Sequence, residues 1–77
     1  MKWILVYFVM SFNSNPIMVV TNDYHETLDS CMASEVSLQH QTGTFDAVCV
    51  NEAEGGLNYF YDHPDYSDYE IIDQRYH

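Results

Sequence analysis

The first dozen residues are apolar at almost every position, Trp3-Ile4-Leu5-Val6-Tyr7-Phe8-Val9-Met10 and then Phe12, and the β-branched and aromatic types predict a strand buried on both sides. Trp3, Leu5, Tyr7 and Val9 would line one side, and Ile4, Val6, Phe8, Met10 and Phe12 the other. Asn13-Ser14-Asn15-Pro16 is a turn cluster and Ile17-Met18-Val19-Val20 a second short strand, so the chain opens as an antiparallel hairpin whose loop exceeds two residues. Thr21-Asn22-Asp23 then carries helix-start chemistry, with Asp23 and Glu26 spaced as a capping box. Leu28, Met32 and Val36 recur every four residues, with Tyr24 and Cys31 on the flank, which predicts one amphipathic helix packed through that stripe. It should end between His40 and Gly43, where glycine accepts the left-handed conformation.

Thr44-Phe45-Asp46-Ala47-Val48-Cys49-Val50 reads as a third strand, with Phe45, Ala47 and Cys49 on one face and Asp46, Val48 and Val50 on the other. The expected fold class is therefore α+β. A small antiparallel β-β-α-β sheet packs on one helix over residues 1–51, and an acidic, aromatic C-terminal extension follows over residues 52–77. Its core would hold Ile4 or the neighbouring face of the same strand, with Leu28, Met32, Val36, Phe45 and Cys49. Glu52-Ala53-Glu54-Gly55-Gly56 reads as a charged, flexible joint between the two parts. One helix covers one face of a sheet, which leaves Trp3, Leu5, Tyr7 and Val9 needing another cover. The C-terminal segment ranks first, through Leu57, Tyr59, Tyr61, Ile71 and Ile72, because an intramolecular cover carries no association cost. A homodimer ranks second and a partner protein third.

Composition sharpens this picture. Seventy-seven residues form one domain at most, near the size where a single core only just offsets the entropy of folding. Twelve acidic residues against two cations give a formal charge of −10. That charge argues against direct nucleic-acid binding, which needs cations to displace phosphate counterions, and favours a basic partner. Acidity also serves plain solubility. Seven of the twelve acids (Glu52, Glu54, Asp62, Asp65, Asp68, Glu70 and Asp73) fall after Asn51, interleaved with Tyr59, Phe60, Tyr61, Tyr66, Tyr69 and Tyr76 and accompanied by one cation, Arg75. The candidate partner-binding residues are Tyr61, Asp62, Asp65, Tyr66, Asp68, Tyr69 and Glu70. Their carboxylates would pair with lysines and arginines, and the three tyrosines would serve as buried anchors. Nucleic-acid mimicry is the sharpest form of the idea, although acids every two or three residues approach the charge density of a duplex only loosely.

Lys2 and the apolar run after it imitate the start of a secretory signal, but no small-residue cleavage site follows and β-branched and aromatic residues dominate. The run is also well short of the roughly 20 residues that span a bilayer, so no membrane association is expected. Cys31 and Cys49 fall on the helix stripe and at an alternating strand position, and both read first as buried small hydrophobes with free thiols in a cytoplasmic protein, the alternative being an inter-element disulfide, which needs the Cα atoms within about 7 Å. His25, His40, His63 and His77 are scattered. Asp62, His63, Asp65 and Asp68 lack the alternation and central glycine of a calcium loop, so no metal site and no cofactor is expected. Glycine patterns for phosphate and nucleophile elbows are missing, and the expectation is a protein that is not an enzyme.

Three stretches, Met1-Lys2-Trp3-Ile4-Leu5-Val6-Tyr7, Leu28-Asp29-Ser30-Cys31-Met32-Ala33 and Gln41 to Val50 ending in Ala47-Val48-Cys49-Val50, resemble small uncharacterised proteins of marine tailed phages. The resemblance stops near Asn51. It implies a phage setting and the cytoplasm of an infected bacterium, and it transfers no functional residue. The function expected from these readings is protein–protein binding that occludes a basic site on a bacterial host protein. The alternative is a self-associating structural or assembly protein without a host target.

Overall fold

The computed structural model describes residues 3–41 and 43–76. Met1, Lys2 and His77, the side chain of Tyr76, and the expectations that touch them lie outside the described residues. Strand β1 (Trp3–Met10) is covered on both faces, as its apolar pattern demands, and is hydrogen-bonded antiparallel to β2 (Pro16–His25) on one side and to β3 (Thr44–Asn51) on the other. Helix α1 (Leu28–Gln39) connects β2 to β3. The chain then makes a 3-10 turn, helix α2 (Gly56–Asp62), a second 3-10 turn and strand β4 (Glu70–Asp73). The fold is α+β, a four-stranded sheet in the order β3-β1-β2-β4 packed against two helices. Its fourth strand runs parallel to β2, pairing Ile17 with Glu70 and Val20 with Asp73, so the sheet is mixed rather than wholly antiparallel.

Two apolar layers result. On one face Ile4, Val6 and Phe8 of β1 meet Met18 and Val20 of β2 and Val50 of β3, and Leu57 and Phe60 of α2 close the layer with Tyr66 and Tyr69 packed against it. On the other, Leu5 and Ala47 meet Cys31 of α1, with Trp3, Tyr7, Leu38 and Cys49 around them. The C-terminal segment does cover a face, as ranked first above, but the faces are exchanged. The helix lies on the Leu5 side and the C-terminal segment on the Ile4 side. Of the five residues expected to provide the cover only Leu57 is buried, and Tyr59, Tyr61, Ile71 and Ile72 are exposed.

Several local expectations are corrected. β1 ends at Met10, and Ser11 closes the loop by exchanging hydrogen bonds with Asn15, which turns Phe12 out to solvent. β2 runs on to His25 through the segment that carried the capping signal, because Tyr24 pairs with Ile4 and His25 with Trp3. Tertiary pairing overrides the local cap there. Where the register slips between Ile4 and Val6, the Thr21 hydroxyl donates to the Leu5 carbonyl at 2.6 Å and keeps it satisfied. The N-cap of α1 is Thr27, whose hydroxyl accepts from the Ser30 N–H. Gly55 takes a left-handed φ of 72° and starts α2. The expected flexible joint is thus an ordered turn. A methyl on Gly56 would stand 3.0 Å from the Asn51 carbonyl oxygen, so the turn needs glycine for close approach as well.

The expected helix face is wrong. Leu28, Met32 and Val36 are 39%, 48% and 56% exposed, and Phe45 lies largely open at the edge of the sheet. Cys31 and Leu38 point inward instead, and a disulfide joins Cys31 to Cys49 with the Cα atoms 6.1 Å apart. The expected free thiols are therefore a bond between α1 and β3. Small Ala47 lets the helix approach the sheet at that point, and the bond fixes which side of α1 faces inward.

Candidate acidic and aromatic surface

Residues 56–75 form the candidate site, and burial of Leu57 and Phe60 sets their course. Two residues beyond Phe60 α2 ends, and His63 caps the next turn by accepting the Asp65 N–H on Nδ1 at 3.2 Å. Pro64 begins that turn, where its fixed φ suits the geometry and its missing N–H costs nothing. The turn throws Tyr66 back onto the sheet. Its ring lies 5.0 Å from Phe60, 5.2 Å from Tyr69 and 5.9 Å from Phe8, between centroids, with Tyr59 and His63 at the margin. Tilted and edge-on pairs of this kind add to the area they bury.

Burial raises the Tyr66 hydroxyl above the usual tyrosine range, and the neighbouring Tyr59 and Tyr69 and the carboxylates of Asp46 and Asp65 raise it further. Asp46, opposite Phe8 in the β1–β3 pairing, lies on this same side of the sheet although it belongs to β3. The sequence carried a signal for it, an acid on the strand face shared with Val48 and Val50, but nothing in the spacing tied that face to the C-terminal segment.

A second anchor holds the end of the chain. Arg75 donates to both carboxylate oxygens of Asp73, through Nε at 2.9 Å and Nη2 at 2.7 Å, and through Nη1 to Glu52 at 3.2 Å. The Tyr61 hydroxyl also donates to Asp73, at 3.4 Å. Arg75 holds the Asp73 carboxyl below the usual carboxylate range, against the opposing effect of burial.

The seven sequence-derived residues thus separate into groups. Tyr66 and Tyr69 pack together against the core, half-buried. Tyr61 faces outward and joins the Asp73 anchor. Asp62, Asp65, Asp68 and Glu70 are exposed. Among the described residues Asp65 has a histidine within reach, His63 at 3.6 Å, and no ion pair reaches Asp62, Asp68 or Glu70.

Another constellation has the residue types of nucleophilic catalysis. Ser30 Oγ lies 2.7 Å from His25 Nδ1, and Asp23 Oδ2 lies 3.0 Å from His25 Nε2. The carboxylate stands off the hydrogen-bonding direction, which leaves Nε2 buried without a hydrogen-bond partner. No cavity opens on the described surface, and Ser30 already donates its N–H to the Thr27 cap, so the cluster is accounted for as the junction of β2 and α1. Among the described residues no three His, Cys, Asp or Glu side chains gather to hold a metal. No helix of the described chain is long and apolar enough to cross a membrane.

Comparison with protein families, with curated proteins and with solved structures finds no match to the chain.

Proposed function

We propose that the protein acts by binding, and that Asp62, Asp65, Asp68 and Glu70, joined by Asp46, meet a basic surface of another protein and occlude it. One observation carries this reading. Phe60, Tyr66 and Tyr69 turn inward while Asp62, Asp65, Asp68 and Glu70 stand exposed, so a continuous stretch of chain is held in place with its charge displayed. The tyrosines thereby take a different part from the anchors first expected of them. Tyr66 and Tyr69 hold the backbone that carries the acids, and Tyr61 is the exposed ring beside them. A surface of one sign steers an oppositely charged partner and selects against acidic ones. The partner class is a lysine- and arginine-rich site that ordinarily holds an anion such as nucleic acid, with no reaction catalysed by this chain.

In the phage setting that the sequence resemblance implies, the partner is a bacterial host protein and the compartment a bacterial cytoplasm. That compartment keeps most thiols reduced, so the Cys31–Cys49 bond must be protected there by burial of Cys31. Intact mass of protein taken directly from cells tests the bond: a mass two hydrogens below the reduced value is expected.

The binding reading is tested by affinity capture from bacterial lysate on the full chain, beside a variant carrying Asp62→Asn, Asp65→Asn, Asp68→Asn and Glu70→Gln. Capture should weaken between low and moderate salt and vanish in the variant, with the melting temperature nearly unchanged because solvated carboxylates add little stability. Equal capture by both proteins at all salt concentrations would sink the proposal.

A further inference from the structure

We propose that the outer face of α1 is a docking surface for a basic amphipathic helix of another protein, independently of the acidic C-terminal surface. Leu28, Met32 and Val36 stand one above the other at intervals of four residues, a line about 12 Å long at a rise of roughly 1.5 Å per residue. This is the spacing by which one helix presents a seam to another. The stripe is held outward covalently. Cys31, on the inward side of the helix about 100° round from Met32, is bonded to Cys49 of β3, so α1 cannot turn about its axis to bury the three side chains against its own sheet. Unbranched Met32 at the centre lets such a seam adapt to different apolar partners.

Charge decides between occupants. Asp29 lies beside the stripe and Glu26 just before the helix, Glu35 leans toward Cys49 on the inner side, and α1 contains no lysine or arginine. A second copy of the chain would bring its own −10 against this face. An occupant with leucine-like residues along one side and lysine or arginine along the flanks gains apolar burial and opposite charge together.

The probe is a labelled synthetic helix of leucine and lysine with leucines at i, i+3, i+4 and i+7, beside a scrambled peptide of identical composition. Binding is followed by fluorescence anisotropy with the full, oxidised chain. The amphipathic peptide should bind at least about tenfold tighter than the scrambled one. That advantage should disappear with Met32→Asp/Val36→Asp and persist when Asp62, Asp65, Asp68 and Glu70 are neutralised. The added aspartates increase general attraction to a cationic peptide, so a loss in that variant comes from the apolar line itself. Circular dichroism of the variant confirms that α1 is retained, and Met32→Ser/Val36→Ser repeats the test if it is not. Equal binding of the two peptides overturns the proposal, as does an advantage that survives both stripe variants. An advantage lost only with the C-terminal acids overturns it too, while leaving the carboxylate reading standing. Sedimentation that shows a dimer dissociated by the stripe variants assigns the face to a second copy and overturns the choice of occupant.

Discussion

Phe60 and Leu28 are both large and apolar, yet one is buried and the other faces water, and their substitutions should part company accordingly. Phe60→Ala removes a ring packed against Phe8 and Tyr66 and should lower stability by about 3–5 kcal/mol, as core truncations of this size do. Leu28→Ala should cost less than about 1 kcal/mol. Urea unfolding of the two variants checks the order, and its reversal would return the inner face of α1 to the Leu28 side. Asp73 supplies a pH dependence of known sign. Its carboxyl is held below the ordinary range by Arg75, so its contribution to stability is fully present above the unfolded value of about 3.9 and is lost as the pH falls through the folded value. The difference in melting temperature between the natural chain and Asp73→Asn should therefore be constant near neutrality and close as acid is added below about pH 4. A gap that persists at the lowest pH would mean the Arg75 contact does not depend on the charge.

At the scale of elements, α1 is held to the sheet by few buried apolar side chains. Cys31 and Leu38 are its inward apolar side chains and the disulfide is its covalent tie to β3. Opening that bond with Cys31→Ser/Cys49→Ser should lower stability by about 2–4 kcal/mol, read by urea unfolding against the oxidised chain. Loss of much less would show that packing against Leu5 and Ala47 suffices. The extent of β2 shows how a local signal can be present and still be outweighed. Asp23 and Glu26 have capping-box spacing, but Tyr24 and His25 gain sheet partners in Ile4 and Trp3, and the helix then starts from the next available hydroxyl, Thr27. β4 was not legible at all. Four residues whose two apolar members, Ile71 and Ile72, are adjacent carry no alternation, and their pairing depends on β2 offering a free edge.

For the whole molecule, the C-terminal segment is a cover for the sheet, with Leu57, Phe60, Tyr66 and Tyr69 inward and Asp62, Asp65, Asp68 and Glu70 outward. Ending the chain at Glu54 should therefore abolish the cooperative thermal transition, because Ile4, Val6, Phe8, Met18 and Val20 lose the layer above them. A sharp transition in the shortened chain would show that residues 3–51 suffice. Truncation consequently cannot test binding, whereas neutralising the exposed acids can. The sequence by itself determined that both faces of β1 would be covered, the hairpin, one helix between β2 and β3, and an acidic C-terminal stretch. Each follows from a local quantity: two-faced hydrophobicity, turn residues, a four-residue period or a count of charges. It also determined that a second cover was required, since a strand apolar on both sides cannot leave one in water. Which face each cover takes, the bond between Cys31 and Cys49, the outward line of Leu28, Met32 and Val36, and the place of Asp46 beside Tyr66 were decided only by tertiary structure. These depend on residues distant in sequence meeting in space. Two apolar flanks of one short helix are nearly equivalent until Ala47 and Cys49 lie opposite one of them.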